Sequence, residues 1–342
     1  MNETSVKVIH YNRHPRNTGN FSIEYVFSNV RSRLDGWDVA SRSAPYFSNG
    51  IFRRLLICLD AWWNQEQITH VTGDIHFAVL LLNRQTTVLT IHDCIGADRS
   101  GLKGWLYRLF WFRLPAQRCK VVTTVSEASK QEIIRVSGCP EHKVFVIPNA
   151  ISELFCPKND RSGKLSTRPR LLQIGTAPNK NIERLAIALS GVSCELVIIG
   201  VLSQSQRQCL SDSEIVFTEK CNLSTAELVE EYHNSDLLIF ASTLEGFGLP
   251  IIEAHAAGVP VVTSNCSAMP HTAGDAASLV DPFDAASIRD GVLKVLNDES
   301  LRVRLIDAGF ANAKRFHPDR IAEQYAQVYR EVLEQNSVME SH

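Results

Sequence analysis

Residues 237–262 read LLIFASTLEGFGLPIIEAHAAGVPVV, and this stretch predicts a buried strand, a glycine-containing loop, a helix and a second strand. The apolar run 237–241 is typical of a buried strand. Pro250 suits the first position of a helix, and Gly258 followed by Pro260 marks the end of that helix. Strands joined through helices in this way build parallel α/β sheets.

Two carboxylates lie eight residues apart in this stretch. Glu245 is on the loop and Glu253 is about one turn into the helix, so both are predicted in the crevice beyond the strand's carboxyl end, where open α/β sheets bind ligands. A carboxylate accepts hydrogen bonds from both hydroxyls of a vicinal diol. A nucleotide sugar carries two such diols, separated by a diphosphate. The two carboxylates, together with the segment Gly-Phe-Gly-Leu-Pro between them, predict a nucleotide-sugar site.

The segment between the two carboxylates supplies further candidates for binding this donor. Its glycines leave backbone N–H groups at a helix N-terminus, where they bind anionic or hydroxyl oxygens. The alternative interpretation is a solvated loop charge at Glu245 and a first-turn residue favoured by the helix dipole at Glu253. The donor-binding candidates on the loop are Gly246, Phe247, Gly248 and Leu249.

Strand-like and helix-like patterns alternate along the chain, which predicts parallel, doubly wound sheets. In the first half, strands are predicted at 6–10, 68–72, 87–91, 121–125 and 144–147, and helices at 21–34, 51–63, 75–82 and 127–136. In the second half, strands are predicted at 170–174, 196–199, 215–217, 237–240 and 259–262, and a final helix at 320–333. The polar segment 157–164 is the predicted linker between the halves.

Residues 243–254 resemble the E-x7-E motif of the retaining GT-B glycosyltransferases of family 4, the glycosyl transferases group 1. The order of the other matching segments also resembles that family. These segments are 90–93 (TIHD), 124–130 (TVSEASK), 146–150 (VIPNA) and 173–185 (QIGTAPNKNIERL).

This resemblance implies an α/β protein of GT-B fold, with two Rossmann-like doubly wound parallel-sheet domains facing a central cleft. The first domain, 1–155, is expected on the acceptor side. The second, 165–317, is expected to bind the nucleotide sugar. The C-terminal helix, 318–342, is expected to cross back to the first domain.

The segment 173–185 is the predicted diphosphate site. Lys180 is expected at the start of the helix that follows Gly175, so that its charge and the helix N-terminus act on one anion. The resemblance adds Thr176 and Asn179 to the donor-binding residues. The family usually has an Arg at the place of Asn179, and Arg184, one turn later, is the candidate substitute.

In the first half, polar residues follow several predicted strands. The resemblance implies that His92 approaches the transferred sugar, where an imidazole can hydrogen-bond a hydroxyl or stabilise developing charge. Asp93 is predicted to cap the following turn. His76 is a second candidate, because it also follows a strand. Gly19 follows the first strand and is the predicted point of close approach to the donor or the acceptor.

The segment 99–120 has no acidic residue and interleaves basic with aromatic side chains. This pattern suits a helix on an anionic membrane surface. Because apolar residues nearly surround the helix, a buried core helix with basic ends is the alternative. The basic residues are Arg99, Lys103, Arg108, Arg113, Arg118 and Lys120, and the aromatic ones are Trp105, Tyr107, Phe110, Trp111 and Phe112.

Composition excludes several classes of protein. A chain of 342 residues with 44% hydrophobic residues can bury the cores of two domains. The formal net charge of −2 gives no support for a nucleic-acid partner. The chain has neither an apolar run of bilayer length nor a signal-peptide core, which predicts a cytoplasmic protein, at most peripheral on the inner face of the membrane.

Motifs for metal, disulfide and dinucleotide chemistry are missing from the sequence. The nine cysteines are odd in number and lack the Cys-x-x-Cys spacing, which argues against disulfides and zinc. The sequence has no Asp-x-Asp pair of the kind that holds a divalent metal on nucleotide-sugar phosphates, so no metal and no cofactor are expected. The absence of Gly-x-Gly-x-x-Gly argues against a dinucleotide oxidoreductase.

Residues and resemblance together predict a retaining hexosyltransferase. It would transfer a hexose from a nucleoside diphosphate sugar to a hydroxyl of a saccharide or lipid-linked saccharide acceptor, in bacterial surface polysaccharide or glycolipid assembly. Glu253 would bind the ribose, Glu245 the sugar hydroxyls, and Lys180 the diphosphate. The alternatives are a nucleotide-sugar epimerase of GT-B fold and a catalytically silent nucleotide-sugar-binding subunit.

Overall fold

The computed structural model describes residues 5–15, 22–158 and 165–340, so Gly19 and most of the predicted linker lie outside the described residues. The chain forms two compact units. Unit 1 comprises Met1–Ala150 and Pro318–His342, and unit 2 comprises Ile151–His317. The first domain was predicted to end at residue 155, whereas the first segment of unit 1 ends at Ala150.

Unit 1 contains a six-stranded, fully parallel sheet. Its spatial order is β2-β1-β3-β4-β5-β6, so the direction of winding reverses between β1 and β3. The edge strand β2 was not predicted, because its sequence WDVASRS lacks an apolar run and is largely exposed. The strands are β1 (Val6–Asn12), β2 (Trp37–Ser43), β3 (Ile68–Val71), β4 (Thr87–Thr90), β5 (Val121–Thr124) and β6 (Val144–Val146).

The helices of unit 1 cover both faces of this sheet. The segment 75–82, predicted as an α-helix, instead forms a 3-10 helix at His76–Leu81. Its first four residues are all buried, so tertiary packing rather than an amphipathic pattern determines its geometry. The helices are α1 (Ser22–Arg31), α2 (Ile51–Trp63), α3 (Gly101–Arg108), α4 (Leu114–Arg118), α5 (Glu127–Ser137) and the C-terminal helix (Pro318–Glu340).

Two apolar cores lie on opposite sides of the unit 1 sheet. Neighbouring residues of β4 point to different cores, as the alternation of side chains along a strand requires. Leu89 joins the core that contains Ile57 of α2. Val88 joins the core to which the C-terminal helix contributes Tyr325 and Tyr329.

Unit 2 contains a second six-stranded parallel sheet, with the spatial order β12-β11-β10-β7-β8-β9. If β7 is counted as strand 1 and the sheet is followed from β9 to β12, the order is 3-2-1-4-5-6, which is the Rossmann arrangement. The switch point of this sheet lies between β7 and β10. The strands are β7 (Arg170–Ile174), β8 (Glu195–Ile199), β9 (Phe217–Lys220), β10 (Leu237–Phe240), β11 (Val261–Ser264) and β12 (Ser278–Val280).

Two predicted strands of unit 2 begin two residues too early. The backbone N–H of Ile215 donates to Leu210 O, and that of Val259 donates to Ala254 O. Both groups are therefore engaged by the preceding helix, and pairing begins only at Phe217 and Val261. The three-residue edge strand β12 was not predicted.

The helices of unit 2 connect these parallel strands. No helix in the described part of the chain is both long and apolar enough to cross a membrane. The helices are α6 (Ile182–Leu189), α7 (Gln204–Asp212), α8 (Thr225–His233), α9 (Leu249–Ala257), α10 (Met269–Ala273), α11 (Ala285–Asn297) and α12 (Glu299–Ala313).

Candidate functional site

Two loops of unit 2 meet at the switch point of its sheet. One joins β7 to α6 and the other joins β10 to α9. Hydrogen bonds join the two loops. Thr243 N donates to Asn179 O at 2.8 Å, and Asn181 Nδ2 donates to Ala241 O at 3.0 Å. The strand order thus brings together residues that are about sixty positions apart in sequence.

Lys180 and Glu245 form an ion pair across these loops. The Lys180 Nζ atom lies 2.5 Å from Glu245 Oε1, and both side chains are largely buried. Asn179 Nδ2 donates to the same oxygen at 3.2 Å and to Leu244 O at 2.8 Å. The ammonium also lies 4.5 Å from the centre of the Phe240 ring. The ion pair therefore holds a positive and a negative group side by side, and both are partly shielded from water.

Lys180 lies before the helix rather than at its start, contrary to the prediction. It ends the 3-10 turn Pro178–Lys180, and α6 begins at Ile182. Its side chain passes over Gly175, whose φ is +87°. A Cβ atom at Gly175 would lie 2.8 Å from Lys180 Cε, so only glycine lets the lysine take this path.

Thr176 of the first loop and Arg184 of α6, two other predicted residues, have partners within the protein. The Thr176 hydroxyl donates to Val201 O at 2.7 Å. The Arg184 guanidinium donates to Asn181 Oδ1 at 2.9 Å and lies 5.6 Å from the centre of the Phe283 ring. Arg184 is thus held next to Asn181, the residue that fastens the two loops.

The second loop is held at both ends. Ser267 Oγ donates to Glu245 O at 2.7 Å and accepts from Glu245 N at 3.2 Å. Phe247 is buried against Phe316, and its carbonyl accepts from Thr272 Oγ1 at 2.7 Å. Phe247 is therefore an anchor of the loop.

Helix α9 starts without a side-chain cap. Leu249 is its first residue, and Pro250, predicted in that place, is its second. Gly248 precedes it with φ +100°, and no described side chain caps this end. Backbone N–H groups at such an end interact favourably with anionic or hydroxyl oxygens. Gly246, also on the loop, is partly buried.

Glu253 lies in α9 and is held by Tyr232 of α8. The Tyr232 hydroxyl donates to Glu253 Oε2 at 2.7 Å. The surrounding protein desolvates the carboxyl and raises the pKa of Glu253 to about 7, although Tyr232 and Lys180 both favour the charged form. Glu253 Oε1 has no protein hydrogen-bond partner among the described residues, so one oxygen is fixed and the other is free to accept.

In unit 1, His92 is oriented by the backbone. Its Nε2 atom lies 3.0 Å from Thr72 O and must donate to that carbonyl, which leaves Nδ1 as an acceptor. Burial lowers the pKa of His92, so the ring is neutral at pH 7. Asp93 Oδ1 accepts from Ile95 N at 2.8 Å, as the prediction of a turn cap requires.

His76, the second histidine candidate, belongs to the core. Its Nδ1 atom donates to Trp111 O at 2.9 Å, and burial lowers its pKa to about 4. The ring packs against Phe112. His76 thus secures the neighbouring helical segment, and its buried ring already has a partner in the protein.

The segment 99–120 has one buried face and one exposed face. It forms α3, a π-helical turn at Leu109–Arg113 and α4. Gly104, Phe112 and Ala116 face the protein. The apolar side chains on the exposed face are Leu102, Trp105, Leu106 and Phe110. The alternative of a buried core helix with basic ends is therefore not observed, and contact with an anionic membrane surface stays a prediction.

Sequence reasoning missed two residues that position the candidate carboxylates. Tyr232 and Ser267 belong to no motif, and they reach Glu253 and Glu245 only through tertiary packing. No group of three or more His, Cys, Asp or Glu side chains in the described ranges is arranged to hold a metal ion.

Each half of the chain matches the model of a known protein family. A model described as glycosyl transferases group 1 matches residues 157–311, and one described as glycosyltransferase family 4 matches residues 16–153. The O-antigen chain mannosyltransferase B of Escherichia coli is 30% identical over 232 residues. The match covers 62% of this chain and 60% of that protein, so the chain spans about three fifths of that relative.

Solved structures share the fold at low sequence identity. Sucrose-phosphate synthase from Thermosynechococcus elongatus has a TM-score of 0.78 at 17% identity and covers 96% of this chain and 100% of its own. Anabaena HepE, solved in complex with UDP and glucose, has a TM-score of 0.75 at 14% identity and covers 95% and 100%. The predicted GT-B fold class is confirmed.

Proposed function

Since the chain belongs to the glycosyl transferases group 1, we propose that it transfers a hexose from a nucleoside diphosphate sugar to an acceptor hydroxyl, with retention of configuration. The observation that carries this proposal is the arrangement of Lys180, Glu245 and Glu253 at the switch point of the unit 2 sheet. A cation and two carboxylates there match the diphosphate and the two diols of such a donor.

Each of these side chains has one role in donor binding. Glu253 accepts hydrogen bonds from the ribose diol, since Oε1 is free while Tyr232 fixes Oε2. A diphosphate beside Lys180 competes with Glu245 for the ammonium. That exchange releases the Glu245 carboxylate to accept the sugar hydroxyls. His92 hydrogen-bonds the transferred sugar through the Nδ1 atom that Thr72 leaves unprotonated.

The leaving diphosphate gains negative charge in the transition state, and Lys180 stabilises that charge. The uncapped N-terminus of α9 adds a positive dipole end. These two groups replace a metal ion in the proposal.

Retention follows from the way the carboxylates are used. An inverting transferase requires a base that takes the acceptor's proton on the face opposite the leaving diphosphate. Glu245 and Glu253 are both assigned to donor hydroxyls. The acceptor oxygen therefore attacks from the side of the leaving group, its bond to the anomeric carbon replaces the bond to the diphosphate, and a diphosphate oxygen takes the proton.

The named relative suggests the first donor and acceptor to test. Because it is an O-antigen chain mannosyltransferase, we assign mannose as the first hexose to try and a surface-polysaccharide chain or its lipid-linked form as the acceptor. The exposed apolar and basic residues within 99–120 support peripheral contact with the inner face of the membrane.

The test is a panel of nucleoside diphosphate sugars in a thermal-shift assay, followed by transfer to the acceptor. A donor at about 100 times its dissociation constant stabilises the protein by about 2.7 kcal/mol. We expect one donor to do so, activity to persist in EDTA, and NMR of the first product to show the donor's anomeric configuration. Turnover of donor without acceptor would indicate an epimerase instead, and binding without any turnover a silent subunit.

A further inference from the structure

Helix α2 of unit 1 exposes an apolar surface that the proposed function does not use. Only a narrow stripe of the helix, at Ile57, Cys58 and Ala61, is buried in the core. Seven large apolar side chains, each between 43% and 81% exposed, cover the other sides. We call these residues the α2 face: Ile51, Phe52, Leu55, Leu56, Leu59, Trp62 and Trp63.

Contiguous exposed apolar residues on this scale mark an interaction site. A surface helix of a globular domain ordinarily presents polar residues on its outer side, and a helix that is apolar all round is covered on more than one side. The α2 face therefore requires a second covering in addition to the core of unit 1.

The neighbouring helical segment of unit 1 extends this surface. The Arg54 guanidinium of α2 lies 4.6 Å from the centre of the Trp111 ring in the π-helical turn. Trp111 in turn packs on Phe77, whose carbonyl contacts Cys58 Sγ at 3.4 Å. Leu102 and Trp105, on the segment to which Trp111 belongs, are at least half exposed.

Basic residues outnumber acidic ones on the two helical segments that form this surface. Helix α2 carries Arg53 and Arg54 and a single acidic residue, Asp60. Asp60 is neutralised by Arg42, whose Nη2 atom lies 2.6 Å from Asp60 Oδ1. The segment 99–120 adds six basic residues and no acidic one. A second copy of the same face would therefore bring like charges together, whereas an anionic surface with an apolar interior complements it.

We propose that the α2 face inserts into the interfacial layer of an anionic phospholipid membrane and that the segment 101–118 lies beside it. The two tryptophans at the C-terminal end of α2 suit the headgroup level, where aromatic side chains of membrane proteins concentrate. The arginines contact the anionic headgroups. This inference deepens the proposed function by naming the docking surface, and its suggestion that the acceptor is lipid-linked rests on that function.

The test is flotation of the full chain with phosphatidylcholine vesicles that contain or lack phosphatidylglycerol. We expect flotation with the anionic vesicles and a loss in high salt. The double variant Phe52→Asp, Leu55→Asp should bind at least about tenfold more weakly, because two charges enter the apolar layer. Ile187→Asp is the matched control, since Ile187 is 58% exposed on α6 of unit 2, and it should float like the unchanged protein.

A second measurement keeps the proposal testable if the double variant is unstable. Lipids brominated near the headgroup should quench the tryptophan fluorescence of the unchanged chain, and Trp62→Phe, Trp63→Phe should remove the share of that quenching that the α2 face contributes. Equal flotation of the unchanged chain and the double variant would overturn the proposal. So would failure to float with anionic vesicles, or loss of a dimer in light scattering as the only effect of the variant.

Donor binding distinguishes this inference from the proposed function. The thermal shift with a nucleotide sugar depends on unit 2 and should be equal in the double variant and the unchanged chain. Flotation without any donor response would contradict the transferase proposal alone, and a donor response without flotation would contradict the docking surface alone.

Discussion

Glu253 is the residue whose chemistry most limits the site. Its pKa of about 7 is raised by desolvation and partly restored by Tyr232. Near neutral pH about half of the carboxyl groups are protonated, and a protonated carboxyl accepts hydrogen bonds from a diol less well than a carboxylate. Tyr232 thus positions Glu253 and also favours its charged form.

We expect donor affinity to weaken as the pH falls through about 7, because protonation removes the charged acceptor. Tyr232→Phe removes a hydrogen bond to the carboxylate, so its midpoint should move to higher pH. Calorimetric titration of the donor between pH 6 and pH 8.5 measures both effects. Tyr46→Phe, at an exposed tyrosine of unit 1, is the control. A dissociation constant that does not vary with pH would refute the ribose assignment to the ionised group.

Gly175 and Gly191 allow two effects of glycine to be separated. Both have positive φ, but a Cβ atom at Gly175 would meet Lys180, whereas at Gly191 it would meet no atom of the described residues within 4 Å. Alanine at either position should cost about 1–2 kcal/mol of stability through backbone strain. Only Gly175→Ala should also weaken donor binding, because it displaces Lys180. Equal donor affinity in the two variants would show that the path of Lys180 is unimportant.

Sequence patterns identified the ends of β7 and β10, and therefore Lys180, Glu245 and Glu253, as candidates. They did not predict that Lys180 would pair with Glu245 or that Tyr232 would hold Glu253. Those contacts join residues 65 and 21 positions apart, and they depend on the order in which strands pair. Ser267 was not predicted as a site residue, because its contact with Glu245 also depends on how the strands pair.

At the scale of elements, helices and strands with long apolar runs were predicted close to their observed positions, whereas strands at the sheet edges were not predicted. Helix α2 and strands β7 and β10 were predicted with the observed bounds. Strands β2 and β12 lie at sheet edges, where one side is solvated and no continuous apolar run is required. The predicted starts of β9 and β11 were early because apolar residues continue through the helix ends that precede them.

The sequence pattern also did not predict which side of helix α2 is buried. The sequence LLICLDAWW, which follows the two arginines of α2, is apolar almost throughout, and such a pattern alone does not say which side is covered. The structure buries only three residues of the helix. The unused apolar sides are what distinguishes α2 from the core helix α9, in which six of nine residues are buried.

At the scale of the whole molecule, the number of parallel sheets followed from the alternation of patterns, but the strand order did not. Every parallel order is compatible with the same alternation. The C-terminal helix illustrates the point, since its Tyr329 hydroxyl contacts His10 Nε2 at 2.8 Å and His70 Nδ1 at 2.7 Å on β1 and β3. Those histidines are more than 250 residues away in sequence.

Buried histidines are distributed unequally between the two units, and this determines how the chain should respond to acid. Among the described residues of unit 1, burial lowers the pKa of four histidines below 6.5, to about 3 for His70 and about 4 for His76. His10 and His92 shift in the same direction. In unit 2, burial lowers the pKa of His255 to about 4.

The sign of the effect follows from proton uptake. Below pH 6.5 the unfolded chain protonates these histidines and the folded chain does not, so stability falls as the pH drops toward 4. Each histidine contributes up to about 1.4 kcal/mol per pH unit in that window. Glu253 acts oppositely, because its folded pKa of about 7 exceeds its ordinary value of 4.5, so the folded form gains stability as the pH falls. In unit 2 this offsets His255, and in unit 1 the four histidines are unopposed.

Unit 1 should therefore lose structure first as the pH falls from 7 to 5. Hydrogen–deuterium exchange with mass spectrometry can follow peptides from β1, β3 and the C-terminal helix against peptides from β7, β8 and β10. We expect protection of the first set to fall by several kcal/mol while the second set changes by less than about 1 kcal/mol, since only one histidine acts there and Glu253 opposes it. Carboxylates with lowered pKa, such as Asp60, act only below about pH 4 and do not contribute in this window. Simultaneous loss of protection in both units, or earlier loss in unit 2, would show that these buried imidazoles do not control the acid response.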